Sequence, residues 1–90
     1  MRNVSIKVFG KVQGVFFRVE AKEYAENLGI KGWVKNESDG SVLIEAEGKE
    51  EQLREFISWC EDGPKNSKVE DVEIKWNKEA RGFAFFEIKY

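Results

Sequence analysis

Near the N-terminus the hydrophobic period changes abruptly, and it changes across one glycine-bearing loop. Val4, Ile6 and Val8 alternate with Ser5 and Lys7, which predicts a half-buried strand over residues 3–9. From about Arg18 to Leu28, Ala21, Tyr24, Ala25 and Leu28 recur at helical spacing while Glu20, Lys22, Glu23 and Glu26 face outward. Gly10-Lys11-Val12-Gln13-Gly14-Val15-Phe16-Phe17-Arg18 joins the two. Its glycines let the backbone turn where other residues would be strained. Such a loop before a helix makes an anion cradle, because free backbone N–H groups meet the positive end of the helix. Arg18 adds a planar fork suited to phosphate or carboxylate. A cation at that end opposes the helix dipole, so without an anion it costs a little stability. Glycine loops before helices are nevertheless common and most bind nothing, so loop chemistry alone leaves a solvated Arg18 slightly ahead. No Gly-Lys-Ser/Thr closes the loop and it is not G-x-G-x-x-G, so generic nucleotide motifs are excluded.

The rest of the chain alternates in the same manner. Gly29 suits a left-handed helix cap. Ile30 to Asn36 reads as a second strand with Trp33 and Val34. Asn36-Glu37-Ser38-Asp39-Gly40 reads as a turn, its Asp-Gly a strong hairpin signal. Ser41–Glu47 is the partner, with Val42, Ile44 and Ala46 inward and Glu45 and Glu47 outward. Lys49–Cys60 is a second helix with the stripe Leu53, Phe56, Ile57 and Cys60, stopped at Gly63-Pro64. A strand carrying Val72, Ile74 and Trp76 follows, then a turn at Asn77–Gly82. The last strand, Phe83–Tyr90, buries Phe86, Ile88 and Tyr90. The order β-α-β-β-α-β-β fits an α+β, ferredoxin-like split β-α-β sandwich. It predicts an antiparallel sheet of about five strands with two helices on one face, as a single domain over 1–90. In that topology the third strand lies between the first two, which run parallel. The loop and Asn36 therefore emerge at the same end.

Composition limits the chemistry. The 90 residues contain no histidine and one cysteine, Cys60, so neither a thiol–imidazole pair nor a Cys/His zinc site is possible. Cys60, on an apolar stripe, reads as a small core residue. The net charge of -2, with acids and bases interspersed, argues against a dedicated nucleic-acid binder. Lys7, Gly10, Lys11 and Gln13 break any signal-peptide core, and no run approaches membrane-spanning length. A cytoplasmic protein is expected.

The residues just described resemble the acylphosphatase family over nearly the whole chain. The loop Gly10–Arg18 is similar to the family signature G-[KR]-V-Q-G-V-x-F-R, with Phe16 at the variable position. Gly32-Trp33-Val34-Lys35-Asn36, Asp39-Gly40-Ser41-Val42, Glu47-Gly48 and Phe86-Glu87-Ile88-Lys89-Tyr90 resemble its further segments. Related domains occur inside larger hydrogenase-maturation proteins, whereas 90 residues suit the small enzyme. The resemblance implies hydrolysis of small-molecule acyl phosphates to a carboxylate and inorganic phosphate, with no metal or cofactor; no nucleic acid or membrane partner is expected from charge and hydropathy, and a monomer is expected. The resemblance assigns the phosphoryl oxygens to Arg18 and to backbone N–H groups of Gly10, Lys11, Val12, Gln13, Gly14, Val15 and Phe16. It assigns the attacking water to the Asn36 amide. Some members carry threonine after that asparagine. Here Glu37 either opposes an incoming dianion or points to solvent.

Each residue also has a plainer role. Asn36 alone is an ordinary turn residue, Lys11 an exposed lysine, and Trp33 and Trp76 packing residues. Asp39 reads as a turn residue rather than an acid/base partner of Glu37. Two binding modules are the alternatives. An RNA-binding sheet face would use Phe83, Phe85 and Trp76, but the net charge and the missing aromatic motif oppose it. A regulatory small-molecule domain of the same fold would ordinarily be tethered to an enzyme.

Overall fold

The computed structural model describes Met1–Tyr90. Its elements are β1 (Arg2–Lys11), α1 (Phe17–Asn27), β2 (Lys31–Asn36), β3 (Val42–Gly48), α2 (Glu50–Asp62), β4 (Lys68–Asn77) and β5 (Phe86–Lys89). The sheet order is β4-β1-β3-β2-β5. β3 thus lies between β1 and β2 and runs antiparallel to both. Strands β1 and β2 are therefore parallel, as the sequence predicts. No helix is long and apolar enough to cross a membrane.

Register follows the period-two pattern. Val4, Ile6 and Val8 face Ala46, Ile44 and Val42 across the β1–β3 ladder, and all six are fully buried. Both helices cover this face. Ala21 and Ala25 of α1 and Leu53, Phe56, Ile57 and Cys60 of α2 complete the same core. Small alanines on α1 leave room for aromatic packing. Tyr24 stacks on Trp59 with ring centroids 5.3 Å apart, and Phe17 tilts against Trp59 at 5.4 Å. Cys60 lies inside this core, and burial pushes its thiol well above the usual range, as expected of a packing residue. The chain leaves α1 through Gly29 at φ 73, the left-handed cap its position implies.

Four features differ from the sequence expectation, all on the later part of the chain. First, β5 does not return beside β4. It pairs parallel with β2 at the opposite edge, so one edge of an otherwise antiparallel sheet is parallel. Second, residues 78–85 therefore cross the open face of the sheet as a strap, and the strand begins at Phe86, not Phe83. Third, that strap covers Glu45 and Glu47. They point away from the helices as expected, yet they are 8% and 1% exposed. Glu47 accepts backbone N–H bonds from Arg81, Gly82 and Phe83 and one from the Asn3 side chain, while Arg81 Nε lies 3.3 Å from Glu45 Oε2. Fourth, Tyr90 is 99% exposed and belongs to no core. Trp76 pairs in register with buried Val4, which puts it on the helix side of the sheet. The aromatics imagined for an RNA-binding face therefore do not share one.

Candidate functional site

The end of β1 sets the entry to the loop. Gly10 and Lys11 still belong to β1 and pair with Val69 and Lys68, after a register shift at Phe9/Gly10. Gly10 has φ 125, and a Cβ there would stand 2.1 Å from the Lys68 carbonyl oxygen, so only glycine fits. Beyond Lys11 the chain leaves the sheet and turns through Gly14 at φ 71. Phe16, at φ 62 and ψ 20, takes the left-handed conformation immediately before α1 and makes no side-chain cap. The first backbone bond of the helix runs from Glu20 N–H to Phe16 C=O. The backbone N–H groups of Gln13 to Val19 therefore donate to no acceptor in the protein.

Part of this segment lines a cavity of about 280 Å³. Val12, Gly14, Phe16, Phe17 and Arg18 form one side, and Asn36 closes β2 on the other. Topology explains the meeting, since parallel β1 and β2 deliver the loop and Asn36 to one end of the sheet. Gln13 ties them together. Its Nε2 donates to the Glu37 and Ser41 carbonyls, both at 2.8 Å, fastening the loop to the β2–β3 hairpin.

Two groups in the wall are left electrostatically open. Arg18 takes part in none of the ion pairs, which involve Arg2, Lys7, Lys22, Lys35, Arg54 and Arg81. Its guanidinium lies over the Tyr90 ring at 4.9 Å, and Nη1 is 3.5 Å from the Lys89 carbonyl. The positive charge is thus held in place but not neutralised. Asn36 Oδ1 is buried without a hydrogen-bond partner. Such an atom ordinarily finds one, so it calls for a polar group from the cavity side.

The remaining sequence candidates sort clearly. Val15 packs against the core, and Lys11 is exposed outside the cavity wall. Glu37 turns toward Lys35, its Oε2 3.6 Å from Nζ, and does not line the cavity. Asp39 is occupied by its own turn. It accepts from the Ser41 hydroxyl and N–H and lies 3.1 Å from Lys7 Nζ. Those bonds hold its carboxyl down at about 2, far from any proton-shuttling range. Ile88 and Tyr90 also line the cavity. The alternation predicts both in the core; Ile88 does pack against it, but Tyr90 does not, because a period-two run says which residues share a face but not what stands opposite. Their arrival depends on β5 lying beside β2, which sets Ile88 level with Val34.

Comparison with known proteins agrees with this architecture. Residues 4–88 match the family profile described as acylphosphatase. An acylphosphatase of Oceanobacillus iheyensis is 44% identical over 91 residues, spanning 100% of both chains. The crystal structure of acylphosphatase from Bacillus subtilis superposes with a TM-score of 0.97 at 39% identity, covering all of both chains. A crystal structure of full-length HypF in a phosphate- and nucleotide-bound form superposes at 0.91 with 30% identity, but over only 12% of that chain.

Proposed function

The chain belongs to the acylphosphatase family, and from that premise we propose how its own residues carry the reaction. The observation that carries the proposal is one cavity lined by the unneutralised Arg18, by loop residues Gly14 and Phe16 whose N–H groups are unpaired, and by Asn36 with its unpaired Oδ1. The phosphoryl group of an acyl phosphate sits in the loop. N–H groups between Val12 and Phe16 and the Arg18 guanidinium bind its oxygens. Gly10 and Lys11 hold the loop's origin in the sheet. Asn36 Oδ1 accepts a hydrogen bond from a water and aims its lone pair at phosphorus. Attack forms the new P–O bond as the bond to the acyl oxygen breaks and a carboxylate departs. The water's proton passes to a phosphoryl oxygen.

A mixed anhydride has a good leaving group, so positioning and charge stabilisation carry most of the acceleration, and a chain without histidine can supply both. We read residues 1–90 as one domain, a cytoplasmic monomer that uses no metal. The test is phosphate release from benzoyl phosphate in chelator, wild type beside Arg18→Ala. Wild-type turnover unaffected by chelator is expected, with kcat/KM reduced at least about a hundredfold in the variant. Equal activity in both would remove Arg18 from the reaction.

A further inference from the structure

Resting on that reading, we propose that the cavity selects acyl phosphates whose acyl group is uncharged and apolar, aromatic above all, and that Phe16 is the residue that selects them. The large hydrophobic side chains exposed on the molecule are Met1, Phe16, Val19, Ile74, Phe85 and Tyr90. Three of them, Phe16, Val19 and Tyr90, line this one cavity. Exposed apolar residues scattered singly need no explanation, but a cluster at the mouth of a polar cradle does.

Phe16 is the most anomalous of the three. It takes a left-handed backbone conformation that favours glycine or asparagine, at a helix start that favours a capping side chain. It caps nothing, and its residue surface is 73% exposed. Neither packing nor capping accounts for a phenyl ring there. Local strain of this kind gathers at ligand sites. Val19, three residues on, lies on the same side of the first turn, and it too is more than half exposed.

Charge narrows the occupant further. Arg18 carries the only charged side chain lining the cavity. Once the phosphoryl group takes it, no cationic side chain of the lining is left to pair with a carboxylate on the acyl group. An apolar acyl group instead removes hydrocarbon surface from water on both partners.

The test uses two non-hydrolysable mimics in which CH₂ replaces the bridging oxygen, phenacylphosphonate and acetonylphosphonate. Both are titrated calorimetrically against the full chain. The wild type is expected to bind the phenacyl compound at least about tenfold more tightly, since even one methylene supports that much discrimination in a hydrophobic pocket and phenyl exceeds methyl by a whole ring. Phe16→Gly keeps the backbone conformation accessible and is expected to bring that ratio within about threefold, whatever it does to either affinity alone. Val19→Ser should narrow it in the same direction. Equal wild-type affinities, or a ratio unchanged in Phe16→Gly, would overturn the proposal. Preference for the phenacyl mimic in a protein that released no phosphate from benzoyl phosphate would keep the selective rim and defeat the hydrolytic reading.

Discussion

Asn36 carries the sharpest residue-scale consequence. A buried carbonyl oxygen with no partner costs about 1–3 kcal/mol unless something fills it. A side chain kept at that cost for packing alone would stabilise the fold less well than an apolar one. Asn36→Ala is therefore expected to leave the urea midpoint unchanged or slightly raised. If the amide positions the attacking water, the same variant lowers kcat for benzoyl phosphate about a hundredfold with KM nearly constant. Parallel denaturation and steady-state kinetics separate the two roles. Loss of stability together with intact kcat would make Asn36 a structural residue. Asp39, by contrast, is spent on its own turn through Ser41 and Lys7 and has no catalytic proton to give.

At the scale of elements, the loop and the β2–β3 hairpin work as a pair because Gln13 joins them. Neither the loop glycines nor the hairpin turn dictates the distance between the phosphate cradle and Asn36. The sheet brings them to one end, and the two bonds from Gln13 Nε2 to the Glu37 and Ser41 carbonyls link them directly. Gln13→Ala removes both, but Gly40 N–H still donates to the Glu37 carbonyl and Glu37 N–H to the Ser41 carbonyl, so the loss of stability is on the order of 1 kcal/mol. Its kinetic cost is expected to be larger than any fully folded variant of similar stability would show, about tenfold in kcat/KM. Measuring both at 25 °C, well below the transition, checks this. A variant with unimpaired kcat/KM would show that the hairpin holds Asn36 in place unaided.

Over the whole molecule, the strap from β4 to β5 ties together the two edges of the sheet, and buried Glu47 fastens it. Burial alone would raise the Glu47 carboxyl, but backbone N–H groups of Arg81, Gly82 and Phe83 and the Asn3 side chain outweigh it and hold the group below the usual range. A carboxyl lowered in the folded state adds stability above its unfolded pKa, and that stability is lost as pH falls through the folded value. Asp39, lowered from 3.8 to about 2, acts in the same direction. Urea midpoints of the wild type are accordingly expected to fall between about pH 4 and pH 2. Glu47→Gln should cost about 1–3 kcal/mol of stability near neutral pH, seen as a lower urea midpoint, and make the acid decline shallower. A variant as stable as the wild type at neutral pH would show that the strap is held by Arg81 and Glu45 instead.

Much of this protein was legible in the chain because its signals are local. Alternation in Val4–Val8 and Val42–Ala46 marks strands, the stripes of Ala21–Leu28 and Leu53–Cys60 mark helices, and glycines mark the turns between them. The β-α-β-β-α-β-β order then sets β1 parallel to β2, which suffices to bring the loop, Arg18 and Asn36 to one end. What covers each face is a long-range matter that periodicity does not encode. The turn after Asn77 has the composition of a tight turn, yet it opens into a strap because β5 finds its partner in β2 rather than β4. That one pairing buries Glu45 and Glu47 and brings Ile88 and Tyr90 to the cavity. A strand's side chains alternate whichever neighbour it takes, so the choice of neighbour, and with it the apolar rim of the site, was decided only by the tertiary structure.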